Sequence, residues 1–337
     1  MFPLISIGIP TYNRKKLLLE ALNSAVSQDY PNIEIIISDN HSDDGTEELI
    51  INYLSTYKKK NISYYRQPSN FGPKKNWENC INCAHGDFML MLSDDDILEP
   101  NAISNLVKAV SDDVVLVIGN KTYIDNEGNP FKEQNDKSNK YDRYYVYTDK
   151  VGKTLLDIKN NDCSYDCDLF WRKRLSGYVH DTPSAVLFRR DLGEKIYKNI
   201  DQAGSAIDLA MDLILSTHGV VKTISSRVVC YRIHSENDSK NIYICASSHV
   251  GLYELMVNSN FDKRKISLLR SYCMSVIYAY AILALKANNY RLCYKCLDLL
   301  FTSPLCINKC LSFFVLFNKL VCSTIKYFAR IIHLSEL

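Results

Sequence analysis

Residues 88–96 read Phe-Met-Leu-Met-Leu-Ser-Asp-Asp-Asp. Five consecutive apolar side chains mark a strand buried on both faces, the kind found in a parallel sheet covered by helices, and here the strand stops at three carboxylates. Working back toward the N-terminus, the same alternation recurs. Apolar runs over 4–9, 33–38 and 62–65 predict strands, and amphipathic stretches over 16–28, 45–57 and 76–84 predict helices. Ser42, Asp43 and Asp44 suit an N-cap for the second helix, and Asn70-Phe71-Gly72-Pro73 reads as a turn before the third. Short strands alternating with helices give βαβ units, hence an α/β fold with a mostly parallel sheet flanked by helices.

Working forward, 114–118 predicts a further strand and 125–129 a hairpin turn. Residues 132–180 are polar and aromatic with weak periodicity, carry Tyr141, Tyr144, Tyr145 and Tyr147, and are expected to form an excursion or lid over an acceptor. Order returns with a strand over 184–188, a helix over 206–216 and a strand over 220–231. From 240 onward the pattern is helical, with 265–286 and 290–301 forming an αα-hairpin across Asn288 and Asn289. The expected division is therefore 1–240 for the sheet domain and 241–337 for a C-terminal α-helical region.

Length and composition agree. The 337 residues suit two domains at about 150 residues each. Hydrophobic residues at 47% and charged residues at 23% describe a packed chain rather than a disordered or fibrous one. Forty Lys plus Arg against 38 Asp plus Glu leave +2, without the basic excess of a nucleic-acid binder, so no nucleic-acid partner is expected. Met1 to Ser6 shows no basic n-region or long apolar core of a secretory signal. The expected location is cytoplasmic, where the twelve cysteines are reduced. Cys80/Cys83 and Cys293/Cys296 have CxxC spacing but no nearby histidine cluster, and read as small buried hydrophobes rather than zinc ligands.

No run reaches the roughly 20 uninterrupted apolar residues of a membrane span. In 311–334, however, Phe313 to Phe317 are followed by Lys319, Lys326 and Arg330, and Glu336 is the sole carboxylate after residue 300. Such a helix either lies on an anionic membrane surface or packs on its own domain.

In an open α/β sheet, ligands bind at the carboxyl ends of the strands. Three such ends carry Pro10-Thr11-Tyr12-Asn13-Arg14, Ser38-Asp39-Asn40 and Asp94-Asp95-Asp96. Two unit charges about 4 Å apart repel by roughly 4 kcal/mol at an effective dielectric of 20, so a cation belongs beside the acidic run. Carboxylates are hard ligands for Mg²⁺ or Mn²⁺, which fill their shells with water and phosphate oxygens, and the run points to a metal-diphosphate site. The bland alternative is a solvated turn ahead of Ile97-Leu98-Glu99-Pro100.

These segments resemble the inverting family 2 glycosyltransferases with the GT-A fold. Ile7 to Arg14 is similar to that family's opening strand and nucleotide loop, and Ile35 to Thr46 to its second strand with the Asp that contacts the donor base. Asn70-Phe71-Gly72 and Ala84 to Asp96 resemble the segment bearing its DxD motif. The resemblance is strong over 3 to about 130 and weaker over 180–238. It implies a GT-A (Rossmann-like) sheet, with Pro10, Thr11, Tyr12 and Asp39 holding the base and ribose, Asp94 approaching the ribose, and Asn13 and Asn70 in the same donor-binding segments; Arg14 and Lys75 are cations that either neutralise donor phosphate or are solvated surface charges. Asp95, Asp96 and His234, the last in Tyr231-Arg232-Ile233-His234, would serve a Mn²⁺ or Mg²⁺ ion or the diphosphate. Asp208, early in the 206–216 helix, would be the general base, with Asp212 as the alternative. Ser93 stands where many members have Asp, and Ile207 where many have Glu or Thr.

The implied activity is metal-dependent transfer of a sugar, with inversion, from a nucleoside-diphosphate donor, UDP-sugar first. The implied acceptor is a hydroxyl of a glycan or polyprenyl-linked oligosaccharide in surface-polysaccharide (O-antigen or capsule) synthesis, at the cytoplasmic face of the inner membrane. Two alternatives stand beside it: a catalytically silent nucleotide-sugar binder or scaffold, and a sugar nucleotidylyltransferase. Against the second, no Gly-rich phosphate loop follows the first strand.

Overall fold

The computed structural model describes residues 2–56, 61–130, 162–176, 179, 182–234, 241–287 and 289–305. Most of the expected lid, including Tyr141, Tyr144, Tyr145, Tyr147 and Tyr178, lies outside them, as does the whole 311–334 stretch. The first elements follow the predicted alternation: β1 (Ile5–Thr11), α1 (Lys15–Val26), β2 (Ile33–Asp39), α2 (Thr46–Thr56), β3 (Ile62–Arg66), α3 (Pro73–Asn82) and β4 (Phe88–Met91). Next come β5 (Ile97–Leu98), α4 (Ala102–Lys108) and β6 (Val114–Ile124). They are followed by β7 (Cys163–Tyr165), α5 (Cys167–Leu175), β8 (Val186–Arg189), α6 (Arg190–Tyr197), α7 (Ile207–Leu215) and β9 (Val220–Arg232).

The strand order is β3-β2-β1-β4-β8-β6-β9-β5, with β7 added on β9. β1 to β4 pair in parallel, and the register sets Pro10 opposite Ser38 and Thr11 opposite Asp39. β8 then inserts antiparallel between β4 and β6, and β9 returns parallel to β6. Isoleucines 5, 7 and 9 of β1 meet Leu18, Ala21, Leu22 and Ala25, the buried stripe of α1, in a core that continues through Leu90, Val117 and Leu187. Burial of each large aliphatic side chain contributes roughly 1.5–3 kcal/mol. One close approach depends on a glycine: a Cβ on Gly119 would stand 2.3 Å from Val228 Cγ2, so only glycine lets β9 lie this near β6.

The chain forms two compact units. The first comprises Met1–Asp201 and Asp208–Asn237, and the second Gln202–Ile207 and Asp238–Leu337. In the second, α8 (Ile242–Asn258), α9 (Lys263–Lys286) and α10 (Tyr290–Thr302) pack together, with α9 and α10 as the expected hairpin. Leu269, Cys273, Ile277, Ala281 and Ala284 line the buried side of α9. Ser205 in the 202–207 segment donates to Ser248 on α8 through both its amide and its hydroxyl, each at 2.9 Å. The stretch of α9 over Lys263–Leu285 holds no uninterrupted run of 20 apolar residues, as expected, yet by length and overall composition it is apolar enough to cross a membrane. Charges at Arg264 and Arg270 break its apolar run without removing that property. The cysteines among the described residues are free thiols. Burial pushes Cys296 up to about 11 and Cys230 up to about 12, which leaves these two as packing groups rather than nucleophiles.

Candidate active site

The loops after β1 and β2 interlock. Asp39 is fully buried; its Oδ1 accepts from the Ser42 amide at 2.9 Å and hydroxyl at 2.5 Å, and its Oδ2 from the Tyr64 hydroxyl at 2.6 Å. Beside it Asn13 takes a positive φ of 53°, donates its amide to Ser42 Oγ at 2.9 Å and accepts the Asp43 amide at 2.9 Å. Asn tolerates this left-handed conformation better than most residues. Asn40 donates to Asn70 Oδ1 at 2.8 Å and accepts the Phe71 amide at 2.9 Å, tying the 70–72 turn to the same cluster. Pro10, Thr11, Asn13, Asp39 and Asn70 are thus gathered at one sheet edge, with the Tyr12 ring 43% exposed beside them. Lys75 is directed elsewhere: its ammonium pairs with Glu78, one turn further along α3.

The acidic turn after β4 does not stay extended. Asp94 and Asp95 converge on one guanidinium nitrogen, Arg14 Nη1, at 3.0 and 2.9 Å, while Thr11 donates to the other Asp94 oxygen at 2.7 Å. The cation demanded by adjacent carboxylates is therefore supplied from the β1 loop. Asp95 Oδ2 also lies 2.8 Å from His234 Nε2, just beyond the end of β9, so strand ends distant in sequence meet at one carboxylate. Asp96 turns the opposite way and is fully buried. Its oxygens accept from the Ser184 hydroxyl at 2.6 Å and the Arg232 amide at 3.0 Å. Burial pushes Asp94 up to about 6 despite the nearby Arg14. Burial, and then the charge of Asp95, raise Asp96 well above the usual carboxylate range.

Two residues that the sequence reading passed over hold this turn. Ser184 Oγ accepts the Ser93 amide at 3.0 Å while donating to Asp96. Arg232, 1% exposed, donates Nε to the Asp95 carbonyl at 2.8 Å and Nη2 to Glu20 on α1 at 2.6 Å. The signal for Arg232 was its place two residues before His234.

The two candidate bases differ in setting. Asp212 is buried and pairs with the buried Arg174 of α5 at 3.1 Å. Asp208, in the first turn of α7, is half-buried, and its Oδ1 accepts its neighbour Leu209's amide at 2.8 Å. Both line a cavity of about 30 Å³ walled by Trp77, Met91, Tyr197 and Met211. Pro183 also lines it, and the next residue is the Ser184 that holds Asp96, so cavity and acidic turn share a wall.

No cluster of three or more metal-ligating side chains occurs among the described residues. Asp95 and His234 form a set of two, one hard oxygen and one imidazole nitrogen 2.8 Å apart. That fits Mg²⁺ or Mn²⁺, which take few protein ligands and complete their shells with water and substrate phosphate.

A family model described as glycosyl transferase family 2 matches residues 6–178. Over 302 residues the chain is 28% identical to the GalNAc(5)-diNAcBac-PP-undecaprenol beta-1,3-glucosyltransferase of Campylobacter jejuni, covering 88% of this chain and 87% of that one. Over 159 residues it is 44% identical to an abequosyltransferase of Salmonella typhimurium, covering 47% of this chain and 39% of that one. Its fold is similar to that of a mannosyltransferase from Pyrobaculum calidifontis in complex with GDP-Man and Mn²⁺, with TM-score 0.57, 14% identity, and coverage of 89% and 87%.

Proposed function

The chain belongs to glycosyl transferase family 2, and from that premise we propose that this glycosyltransferase moves a sugar, with inversion, from a nucleoside-diphosphate donor to an acceptor hydroxyl. The donor is a UDP-sugar. The acceptor is a glycan or polyprenyl-linked oligosaccharide in surface-polysaccharide synthesis, and the protein works at the cytoplasmic membrane face through its C-terminal helices. What carries the reading is the meeting of Asp95, Arg14 and His234 at the carboxyl end of the sheet, beside the Asp39 and Thr11 loops. The Campylobacter relative, whose name specifies an undecaprenol-linked acceptor, supports the acceptor class. The Mn²⁺ in the Pyrobaculum neighbour, a likeness of fold alone, is compatible with the cation.

Each residue has a task in this reading. Asp39 is assigned to the donor base; with its carboxylate buried and held by Tyr64 and Ser42, it meets an N–H such as that of the uracil imide only once the loop around it opens. Pro10, Thr11, Tyr12 and Asn13 bound the base and ribose, with Asn70 fixing the neighbouring turn, while Lys75, paired with Glu78, takes no part. Asp94, oriented by Thr11 and Arg14, faces the ribose. Asp95 and His234 hold a divalent cation, with Asp96 fixing the turn beneath them. That cation supplies Lewis-acid stabilisation of the departing diphosphate. Asp208 takes the acceptor proton as the new bond forms, help worth about 10²–10⁴ in rate. Asp212, locked to Arg174, is the less accessible carboxylate.

The test is a screen of UDP-, GDP-, dTDP- and CDP-sugars with Mn²⁺ or Mg²⁺, reading released nucleoside diphosphate and identifying products by mass spectrometry. Transferred sugar from the UDP donor, lost by orders of magnitude in Asp95→Ala and Asp208→Asn, supports the proposal. Undiminished rates in both variants refute the assignments. A nucleotide sugar formed only when a nucleoside triphosphate and a sugar 1-phosphate are supplied, with pyrophosphate released, returns the nucleotidylyltransferase alternative, and donor binding without any product returns the silent binder.

A further inference from the structure

We infer that Arg232 is a positioning residue that sets where the Asp95 carboxylate meets His234, and thereby the affinity of that pair for a divalent cation. This rests on the cation site proposed above. Arg232 grips the acidic turn twice: its backbone amide donates to the Asp96 carboxylate at 3.0 Å, and its Nε to the Asp95 carbonyl at 2.8 Å. The rest of the guanidinium reaches two further pieces of the fold. Nη1 donates to the Asn126 and Asp125 carbonyls at 2.8 and 3.3 Å, in the turn after β6, and Nη2 to Glu20 of α1 at 2.6 Å.

A side chain 1% exposed that carries a full charge is an inefficient way to fill space. Replacing a buried ion pair with well-packed apolar groups is often neutral or stabilising, so stability alone gives weak reason for Arg here. A rigid planar fork does something an apolar group cannot: it fixes several main-chain acceptors at once and in one plane. The acceptor it fixes in the acidic turn belongs to Asp95, the residue whose side chain touches His234, and His234 lies two residues along the same backbone. One residue therefore ties both members of the pair to a common support. Glu20 neutralises the guanidinium from the outer side, with 49% of its own side chain exposed.

The measurement is Mn²⁺ binding to the full chain without donor, from the loss of the free-ion electron paramagnetic resonance signal. Wild type is compared with Arg232→Lys, which keeps the charge but loses the fork, and Glu20→Gln, which keeps a hydrogen-bonding group at an exposed position. Groups behind a metal's ligands typically change affinity by about 10–100-fold, so Arg232→Lys should weaken Mn²⁺ about tenfold or more, and Glu20→Gln by about threefold. UDP binding without metal should stay within about twofold in both, a readout that general loosening would not spare. A wild-type chain that binds no Mn²⁺ removes the cation site and this inference with it. A wild type that binds, with a folded Arg232→Lys chain that binds equally well, overturns the inference alone. Should Arg232→Lys fail to fold, unchanged affinity in Glu20→Gln overturns it.

Discussion

Replacing Ser184 by alanine removes one oxygen and strands two partners. Ser184 is fully buried, donates to Asp96 Oδ2 at 2.6 Å and accepts the Ser93 amide at 3.0 Å. A hydrogen bond to a charged group contributes about 1.5–3 kcal/mol, and an unsatisfied buried donor costs about 1–3 kcal/mol. Ser93 is half-buried and its amide can find water, so the lower figure applies to it. Asp96 keeps the Arg232 amide on its other oxygen, so its loss is also taken from the lower half. Together these give about 3 kcal/mol with Asp96 ionised. Below the raised pKa of Asp96 the carboxyl is protonated and needs the serine less, and the loss should fall to about 1.5 kcal/mol by the same reckoning. Trp77 and Trp171, the chain's two tryptophans, both lie in the first compact unit, so their fluorescence in urea follows the unit of interest. With a slope of about 3 kcal/mol/M, the midpoint should move down by about 1 M at pH 8 and about 0.5 M at pH 5. A shift below about 0.2 M at pH 8, or a larger shift at pH 5 than at pH 8, would refute the argument.

Asp212→Asn removes the charge that pairs with the buried Arg174 at 3.1 Å and should destabilise the first unit by about 3 kcal/mol in urea unfolding. Asp208→Asn, at a half-buried position, should leave the urea midpoint within about 0.5 kcal/mol of wild type while turnover falls by about 10²–10⁴. A reversal of the two phenotypes would exchange the roles assigned to them. The folded-state pKa of Asp94 is raised to about 6 and that of Asp96 is raised as well, so each favours the folded state most below its ordinary value near 4. That contribution is lost as pH climbs through about 6 and beyond, so the metal-free protein should melt higher at pH 5 than at pH 8. Mn²⁺ should raise the melting temperature more at pH 8 than at pH 5, and an equal or opposite dependence would count against a cation at these carboxylates.

The parallel half of the sheet was legible because each strand announces itself locally. The apolar runs over 4–9, 33–38 and 88–92 needed no knowledge of their neighbours, and the strand-end rule then located the loops. The antiparallel insertion of β8 between β4 and β6 was not legible, since Met89 pairs with Phe188 across a long stretch of chain and either direction suits the same residues. Helices α4, α5 and α6 were also missed: each is only seven to nine residues long, too short for a helical period to stand out from sequence alone. At the site, three carboxylates in a row signalled a cation, but not that Arg14 would neutralise two of them while the third turned inward. Strand parity would have paired Asp94 with Asp96, and the turn broke that parity. Lys75 reads as a donor-site cation from sequence, yet Glu78 three residues on was an equally available partner. Ser184 carries no local mark and Arg232 only its place two residues before His234, because their roles arise only when the segments around β8 and β9 close on the turn.

The place of β9 in the sheet has a consequence for how the protein comes into being. β9 is the last strand among the described residues, yet it pairs with β6, β5 and β7, and the chain just beyond it supplies His234. A ribosome adding about 5–20 residues per second leaves β6 on the order of ten seconds with that edge open, exposed to the strand-adding partners that edges attract. Through that interval the acidic turn has Arg14 but lacks both His234 and Arg232. Fragments released before β9 keep that edge open and lack His234 and Arg232, so prematurely terminated synthesis yields chains that expose an unpaired strand without a complete strand-end cluster.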